Sequence, residues 1–133
     1  MTEYLTTDDV IDLQIRAMYE TNEEPQGLRD RGLLESAVMR PQFLAHYQGA
    51  DLFEQAAALG NGISRSQPFV EGNKRAGYAA MIFFLDLNGW EVIGEPVELA
   101  AALLRAAQPG ADPAEGEAML ATWLREHAVP APA

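Results

Sequence analysis

The sequence contains no cysteine and little positive charge. Without cysteine the chain can form neither a disulfide nor a thiolate zinc site, which fits a reducing compartment. Lys and Arg total 9 against 20 Asp and Glu, which gives a formal net charge of −11. Such a charge repels phosphate backbones and anionic lipids at long range. Direct nucleic-acid binding and membrane-surface binding are therefore disfavoured.

Two other features are scarce, namely long apolar runs and targeting signals. The longest apolar stretch, 76–85, falls far short of the ~20 residues that cross a bilayer. The first ten residues lack a basic segment followed by an apolar one, so no secretory signal is visible and a cytoplasmic location is expected. A chain of 133 residues with 48% hydrophobic composition is typical of one soluble domain, here residues 1–133.

Apolar residues recur at helical spacing through most of the chain, which predicts a compact all-α bundle of about six helices. Pro41 is expected to end or kink the second helix, and residues 90–93 form at most a short strand. The tail, 129–133, is expected to fray. The predicted helices lie at about 10–22, 30–41, 50–64, 74–88, 96–107 and 113–127.

The last two predicted helices carry apolar stripes. Their simplest role is to face the core, and the alternative is that part of them forms a groove for a partner helix. The stripe residues are Leu99, Leu103, Leu104, Met119, Leu120, Trp123 and Leu124.

Basic residues cluster in one segment of this acidic chain. Lys74 is the only lysine, and Arg65 and Arg75 lie close to it in sequence. Lys74 and Arg75 fall in the first turn of a predicted helix, where the helix dipole disfavours each cation by ~0.3–1 kcal/mol. A bound anion would offset that cost, because Gly72 permits close approach and the first-turn N–H groups are free. The pattern is typical of a phosphate-binding loop.

Glu71 lies directly before this loop and would repel a polyphosphate unless a cation lay between them. Mg²⁺ is the natural bridge, since it is often held by one or two carboxylates together with substrate phosphates. The alternative is that Glu71 merely complements the helix N-terminus while Lys74 and Arg75 form a solvated, ion-paired corner. The segment is not a Walker A sequence.

The stretch Gln67–Arg75, QPFVEGNKR, resembles the signature loop of the Fic/Doc (Fido) superfamily at every position except the first. Further segments between residues 4 and about 93 resemble Doc-like sequences in the same order. They are Tyr4–Thr6, Gly27–Asp30, Leu33–Ala37, Arg40–Pro41 and Phe84–Gly89.

This resemblance implies the all-α Fido fold and a function. Fic proteins with Gly-Asn-Gly-Arg in the loop transfer AMP to protein hydroxyls. Doc-type toxins, with Asn-Lys-Arg as in Asn73–Arg75, transfer the terminal phosphate of ATP to a threonine of elongation factor Tu and arrest translation. The resemblance thus implies the toxin of a type II toxin–antitoxin pair, with ATP and Mg²⁺ as cofactors and a Phd-like antitoxin as partner.

The resemblance also assigns roles to individual residues. Glu71 would hold Mg²⁺, and Asn73 and Lys74 would contact phosphates beside Gly72. Arg75 would hold the nucleotide or the loop, and Arg65 would assist from the opposite side. Phe69 and Pro68 are expected to anchor and stiffen the loop.

Gln67 occupies the position of the family's catalytic histidine. A carboxamide exchanges hydrogen bonds but cannot accept a proton near neutral pH, and loss of a general base costs ~10²- to 10⁴-fold in rate. The sequence therefore predicts an impaired Doc-like kinase. The alternatives are a catalytically dead module that binds nucleotide and antitoxin, and a Fic-type AMP transferase, which Lys74 disfavours.

Overall fold

The fold was analysed in a computed structural model that describes residues 1–132. It confirms the all-α bundle, with six helices and one short two-stranded ribbon in these residues. In chain order they are α1 (Thr7–Glu20), α2 (Arg31–Gln48), α3 (Leu52–Ser66), α4 (Asn73–Leu87), β1 (Trp90–Val92), α5 (Pro96–Ala106), α6 (Pro113–His127) and β2 (Ala128–Pro130).

Local sequence signals set where the helices begin. Thr6 and Asp9 form a reciprocal capping box at the start of α1, and Asp51 and Glu54 form another at the start of α3. Each box satisfies backbone N–H groups that a helix start leaves without acceptors. Both α5 and α6 begin with proline, whose missing N–H has no cost in the first turn.

Of the two outcomes expected at Pro41, an end or a kink of the helix, the end is wrong, because α2 continues to Gln48. Pro41 removes the hydrogen bond that an N–H would donate to the Ala37 carbonyl. Its ring is buried against the core, and the apolar burial offsets the missing bond. The helix instead ends at Gly49, which adopts the left-handed conformation with φ 65°.

Helix α3 lies in the middle of the bundle and packs against α2, α4, α5 and α6. Its contact with α4 is close, since a Cβ built on Gly77 would lie 2.5 Å from the Gly60 carbonyl oxygen. Glycine at both positions therefore allows the two backbones to touch. The end of α3 and the start of α4 are held together by this contact.

Helix α4 is not buried on every side, although its sequence is almost uniformly apolar. One face belongs to the core and includes Ala80, Met81 and Phe84. On another face Phe83 stays 38% exposed. The uniform apolar sequence thus serves two surfaces, of which only one is covered by the chain itself.

The C-terminal residues do not fray as expected over 129–130, because Ala128–Pro130 pairs with Trp90–Val92 in an antiparallel ribbon. Ala131 also donates its N–H to the Gly89 carbonyl at 2.8 Å. Ala133, the end of that predicted tail, lies outside the described residues. No helix within residues 1–132 has the length and apolar character needed to cross a membrane.

Candidate functional site

The predicted phosphate loop joins α3 to α4 and spans residues 67–72. Gln67 ends α3 in the left-handed conformation, with φ 53°, which few residues other than glycine adopt. Gly72 precedes α4 with φ 75°. The loop thus turns sharply at both ends, and each turn is held by contacts described next.

The first anchor lies within the loop itself. Phe69 is buried in the core, as predicted. Its backbone N–H donates to the Asn73 side-chain oxygen at 2.8 Å, and its carbonyl accepts from the Asn73 amide nitrogen at 3.0 Å. Asn73 therefore closes the loop onto the start of α4, and this use of its amide differs from the phosphate contact expected for it.

The second anchor comes from α1. Gln14 is buried and donates from Nε2 to the Glu71 carbonyl at 3.0 Å. A Cβ on Gly72 would lie 2.7 Å from the sulfur of Met18, so glycine is also needed here for close approach. These contacts fix the backbone at the point where α4 begins.

The third anchor is the segment before α2. Arg29 donates from Nε to the Gln67 carbonyl at 2.7 Å and from Nη2 to the Ser66 carbonyl at 2.9 Å. The N–H groups of Arg29 and Asp30 both donate to the Pro68 carbonyl, at 2.7 and 2.9 Å. The 27–30 segment therefore clamps the N-terminal half of the loop.

A cavity of about 270 Å³ opens between the loop and the first turn of α4. Gly72 has no side chain that could act as a cap, and within residues 1–132 no other side chain caps the first amides of α4. Lys74 forms no ion pair with any carboxylate of residues 1–132. Free amides and a free ammonium together form a binding surface for an anion. The cavity is lined by Gln67, Gly72, Asn73, Lys74 and Arg75.

Arg75 already has an anionic partner. It forms an ion pair with Glu23 and donates to the Thr21 hydroxyl at 2.6 Å. The hydrogen bond from Arg75, and to a smaller extent the one from Thr21, lower the pKa of Glu23 from its ordinary value. Arg75 thus links the end of α1 to the start of α4, on one wall of the cavity.

Two of the predicted site residues lie apart from the cavity lining. Arg65 donates instead to the Ala106 carbonyl at the end of α5, at 3.2 Å. Glu71 is exposed and directly precedes Gly72 of the cavity lining. No group of three or more His, Asp or Glu side chains within residues 1–132 could hold a metal ion by itself. Glu71 can therefore contribute only to a cation site in which oxygens of a bound phosphate are also ligands.

A larger groove of about 710 Å³ adjoins this cavity, and Lys74 and Arg75 line both. The groove runs between α1, α4 and α5, and its walls are mostly apolar. Burial raises the pKa of the Tyr78 hydroxyl within it. Its apolar wall residues include Leu13, Ile82, Phe83, Val97, Leu103 and Leu104.

Sequence reasoning assigned no role to Gln14 or Arg29. Gln14 was detectable in principle, because it is a polar residue on the same helical face as Val10 and Met18. Arg29 carried no such signal. Its function depends on two backbone carbonyls far along the chain, and backbone groups leave no trace in the sequence.

Comparisons with known proteins identify the family of this chain. The model of the Fic/DOC family matches residues 4–85, which include the clamp, the loop and most of α4. The chain belongs to the Fic/DOC family. It is 38% identical over 99 residues to a protein named Toxin Doc from Mycolicibacterium smegmatis, covering 71% of this chain and 72% of that protein.

The fold is also similar to that of BepC, a VirB-translocated effector protein of Bartonella tribocorum whose crystal structure contains AMPPNP. The TM-score is 0.52 with 18% sequence identity over 77% of this chain. This chain spans about half, 49%, of the BepC chain. Because the identity is only 18%, the likeness concerns the fold alone.

Proposed function

We propose that this chain is the toxin of a bacterial toxin–antitoxin pair and that its loop binds ATP for phosphoryl transfer to a protein hydroxyl. The likeness to a Doc toxin supports the toxin assignment. The observation that carries the nucleotide site is the cavity at the uncapped start of α4, where Lys74 and Arg75 meet Gly72. The proposed target is a threonine of elongation factor Tu.

The residues divide the work by their chemistry. Lys74 and the first amides of α4 neutralise charge on the phosphates, while Arg75 adds a second cation once it leaves Glu23. Phosphoryl transfer depends mainly on such positioning and charge stabilisation. Glu71 would share Mg²⁺ with the phosphates, and that ion would supply further charge neutralisation.

Gln67 limits the reaction. Attack by the target hydroxyl releases a proton as the new P–O bond forms and the bond to ADP breaks. A group at position 67 must accept that proton, and a carboxamide does not. With only this acceptor missing, binding is retained and transfer is slow. Gln67 also favours the second candidate function, a pseudoenzyme that binds nucleotide and antitoxin without catalysis.

Calorimetric titration with ATP, with and without Mg²⁺, tests the binding site. Lys74→Ala should weaken binding by about tenfold or more, since one charge-assisted hydrogen bond contributes ~1.5–3 kcal/mol. Arg16→Ala is the matched control, because it removes one exposed cation of α1 outside the cavity. Equal weakening by both variants, or no binding by the parent, contradicts the site.

Restoring the base separates the kinase from the pseudoenzyme. Gln67→His should raise transfer from γ-labelled ATP to purified elongation factor Tu by ~10²-fold or more. Glu71→Ala in the same chain should abolish that gain. Retained ATP binding without any gain favours the pseudoenzyme, and label that arrives from the α-phosphate favours AMP transfer.

The antitoxin is proposed to dock an amphipathic helix into the apolar groove. Groove residues such as Phe83 and Val97 are exposed at 38% and 74%, so a partner can cover them. Co-expression with the product of an adjacent small gene should yield a complex that Phe83→Asp disrupts. Ile93→Asp, at an apolar residue exposed at 61% outside the groove, should not disrupt it. Equal behaviour of the two variants contradicts this docking surface.

A further inference from the structure

Among residues 1–132, Arg29 is the one charged side chain that donates a hydrogen bond to the backbone of residue 67. Its guanidinium bonds the carbonyls of Ser66 and Gln67, which are among the last carbonyls of α3 and would otherwise lack a helical donor. A cation is also favourable at a helix C-terminus. Arg29 therefore caps α3 at the position where the chain turns into the loop.

The turn that Arg29 caps is unusual. Among residues 1–132 only Asn22 and Gln67 have positive φ without being glycine. Such conformations persist when surrounding contacts hold them, and they cluster at functional sites. Around Gln67 those contacts come from Arg29, together with the Pro68 carbonyl that accepts two N–H groups of the 29–30 backbone.

The clamp, residues 27–30, makes its hydrogen bonds away from the start of α4, which forms the phosphate side of the cavity. Its bonds reach Ser66, Gln67, Pro68 and, through the Gly27 carbonyl, the N–H of Val70. The phosphate side is built separately from the start of α4 and from its contacts with α1. Residue 67 can therefore lose its orientation while the cation and amides at the start of α4 stay in place.

We infer that Arg29 is a positioning residue that holds residue 67 in the left-handed conformation and so directs its side chain into the cavity. Lysine cannot replace it, because one ammonium lacks the planar fork that bonds two adjacent carbonyls. This inference rests on the proposed function for its catalytic consequence, but its structural half is independent of any ligand.

Amide hydrogen exchange measured by NMR tests the structural half. Arg29→Ala and Arg29→Lys should speed exchange of the Gln67 and Val70 amides by about tenfold or more, while exchange in the rest of α3 and α4 stays unchanged. Arg31→Ala is the matched control, since Arg31 lies two residues away and only pairs with Asp8 at the surface. Unchanged exchange in the Arg29 variants overturns the inference, whatever the cavity binds.

The Gln67→His variant tests the consequence for the side chain. An imidazole directed at bound phosphate should show a raised pKa when AMPPNP is added, because the anion favours the protonated ring. Adding Arg29→Ala or Arg29→Lys to this variant should make the rise in the imidazole pKa smaller. The affinity for AMPPNP should change by less than about twofold, and kcat should fall by ~10-fold or more at constant KM for ATP.

The outcomes separate the two proposals. If the Arg29 variants speed amide exchange but do not change the rise in imidazole pKa that AMPPNP causes, Arg29 does not position the side chain of residue 67. Its role is then only to cap α3. If Gln67→His with Arg29 intact fails to bind AMPPNP, the proposed nucleotide function fails, and the exchange rates alone still decide whether Arg29 holds residue 67.

Discussion

Substitution of helical glycines by alanine should shift stability in opposite directions at two positions of the bundle. At Gly77 the added Cβ would lie 2.5 Å from both the Gly60 carbonyl oxygen and the Ser64 hydroxyl. A backbone oxygen cannot rotate away, so α3 and α4 must separate. At Gly62 the added Cβ would lie 3.6 Å from the Ala37 Cβ, which is an ordinary contact.

The magnitudes follow from two competing effects. Replacement of glycine by alanine in a helix gains ~0.5–1 kcal/mol of conformational free energy. Overpacking of a close contact costs ~1–3 kcal/mol. Gly62→Ala should therefore raise the free energy of unfolding by up to about 1 kcal/mol, and Gly77→Ala should lower it by about 1–2 kcal/mol.

Thermal unfolding followed by circular dichroism measures both changes. For a domain of this size 1 kcal/mol corresponds to a Tm shift of about 3–5 °C. Gly62→Ala should thus melt a few degrees above the parent, and Gly77→Ala about 3–10 °C below it. A Gly77→Ala protein as stable as Gly62→Ala would refute the backbone contact between α3 and α4.

Two further substitutions test local features. Gln67→Gly should raise the free energy of unfolding by about 0.5–1 kcal/mol, because glycine adopts positive φ without strain. Asn22→Gly is its control, at the other non-glycine residue of 1–132 that has positive φ. If urea unfolding shows that Gln67→Gly lowers the free energy of unfolding, the backbone at residue 67 is not strained. Asp51→Ala should cost about 1 kcal/mol at pH 7 through loss of the α3 cap. Burial raises the pKa of Asp51, but the Glu54 amide and Arg125 outweigh it and lower the pKa below its ordinary 3.8. The charge-dependent part of this stabilisation is therefore fully present above that value and is lost as the pH falls through the lower folded pKa, so the difference in Tm between parent and variant should narrow as the pH is lowered below 3.8.

The helices and the loop were predictable because their signals are local. Caps such as Asp51, the prolines that open α5 and α6, and the apolar spacing act within a few residues. The location of the candidate site was also predictable from a local signal, namely the resemblance of residues 67–75 to the Fic/DOC signature loop. These predictions needed no knowledge of which helices pack together.

The errors arose where distant parts of the chain decide the outcome. Pro41 stays helical because the core accepts its ring, and 128–130 becomes a strand because 90–92 offers it an edge. In each case a tertiary contact overrides a local preference. Such contacts cannot be predicted from the residues that are adjacent in sequence.

The separation of Arg29 from the loop in sequence has a kinetic consequence. The α3–loop–α4 hairpin is made of neighbours and can form early, as local contacts do. The clamp joins residues 38 positions apart and requires α2 to have folded back along α3. The left-handed turn at residue 67 is therefore completed late, and a nascent chain with its helices already formed still lacks the finished site. Substitutions that slow the docking of α2 should delay this step although they lie outside the cavity.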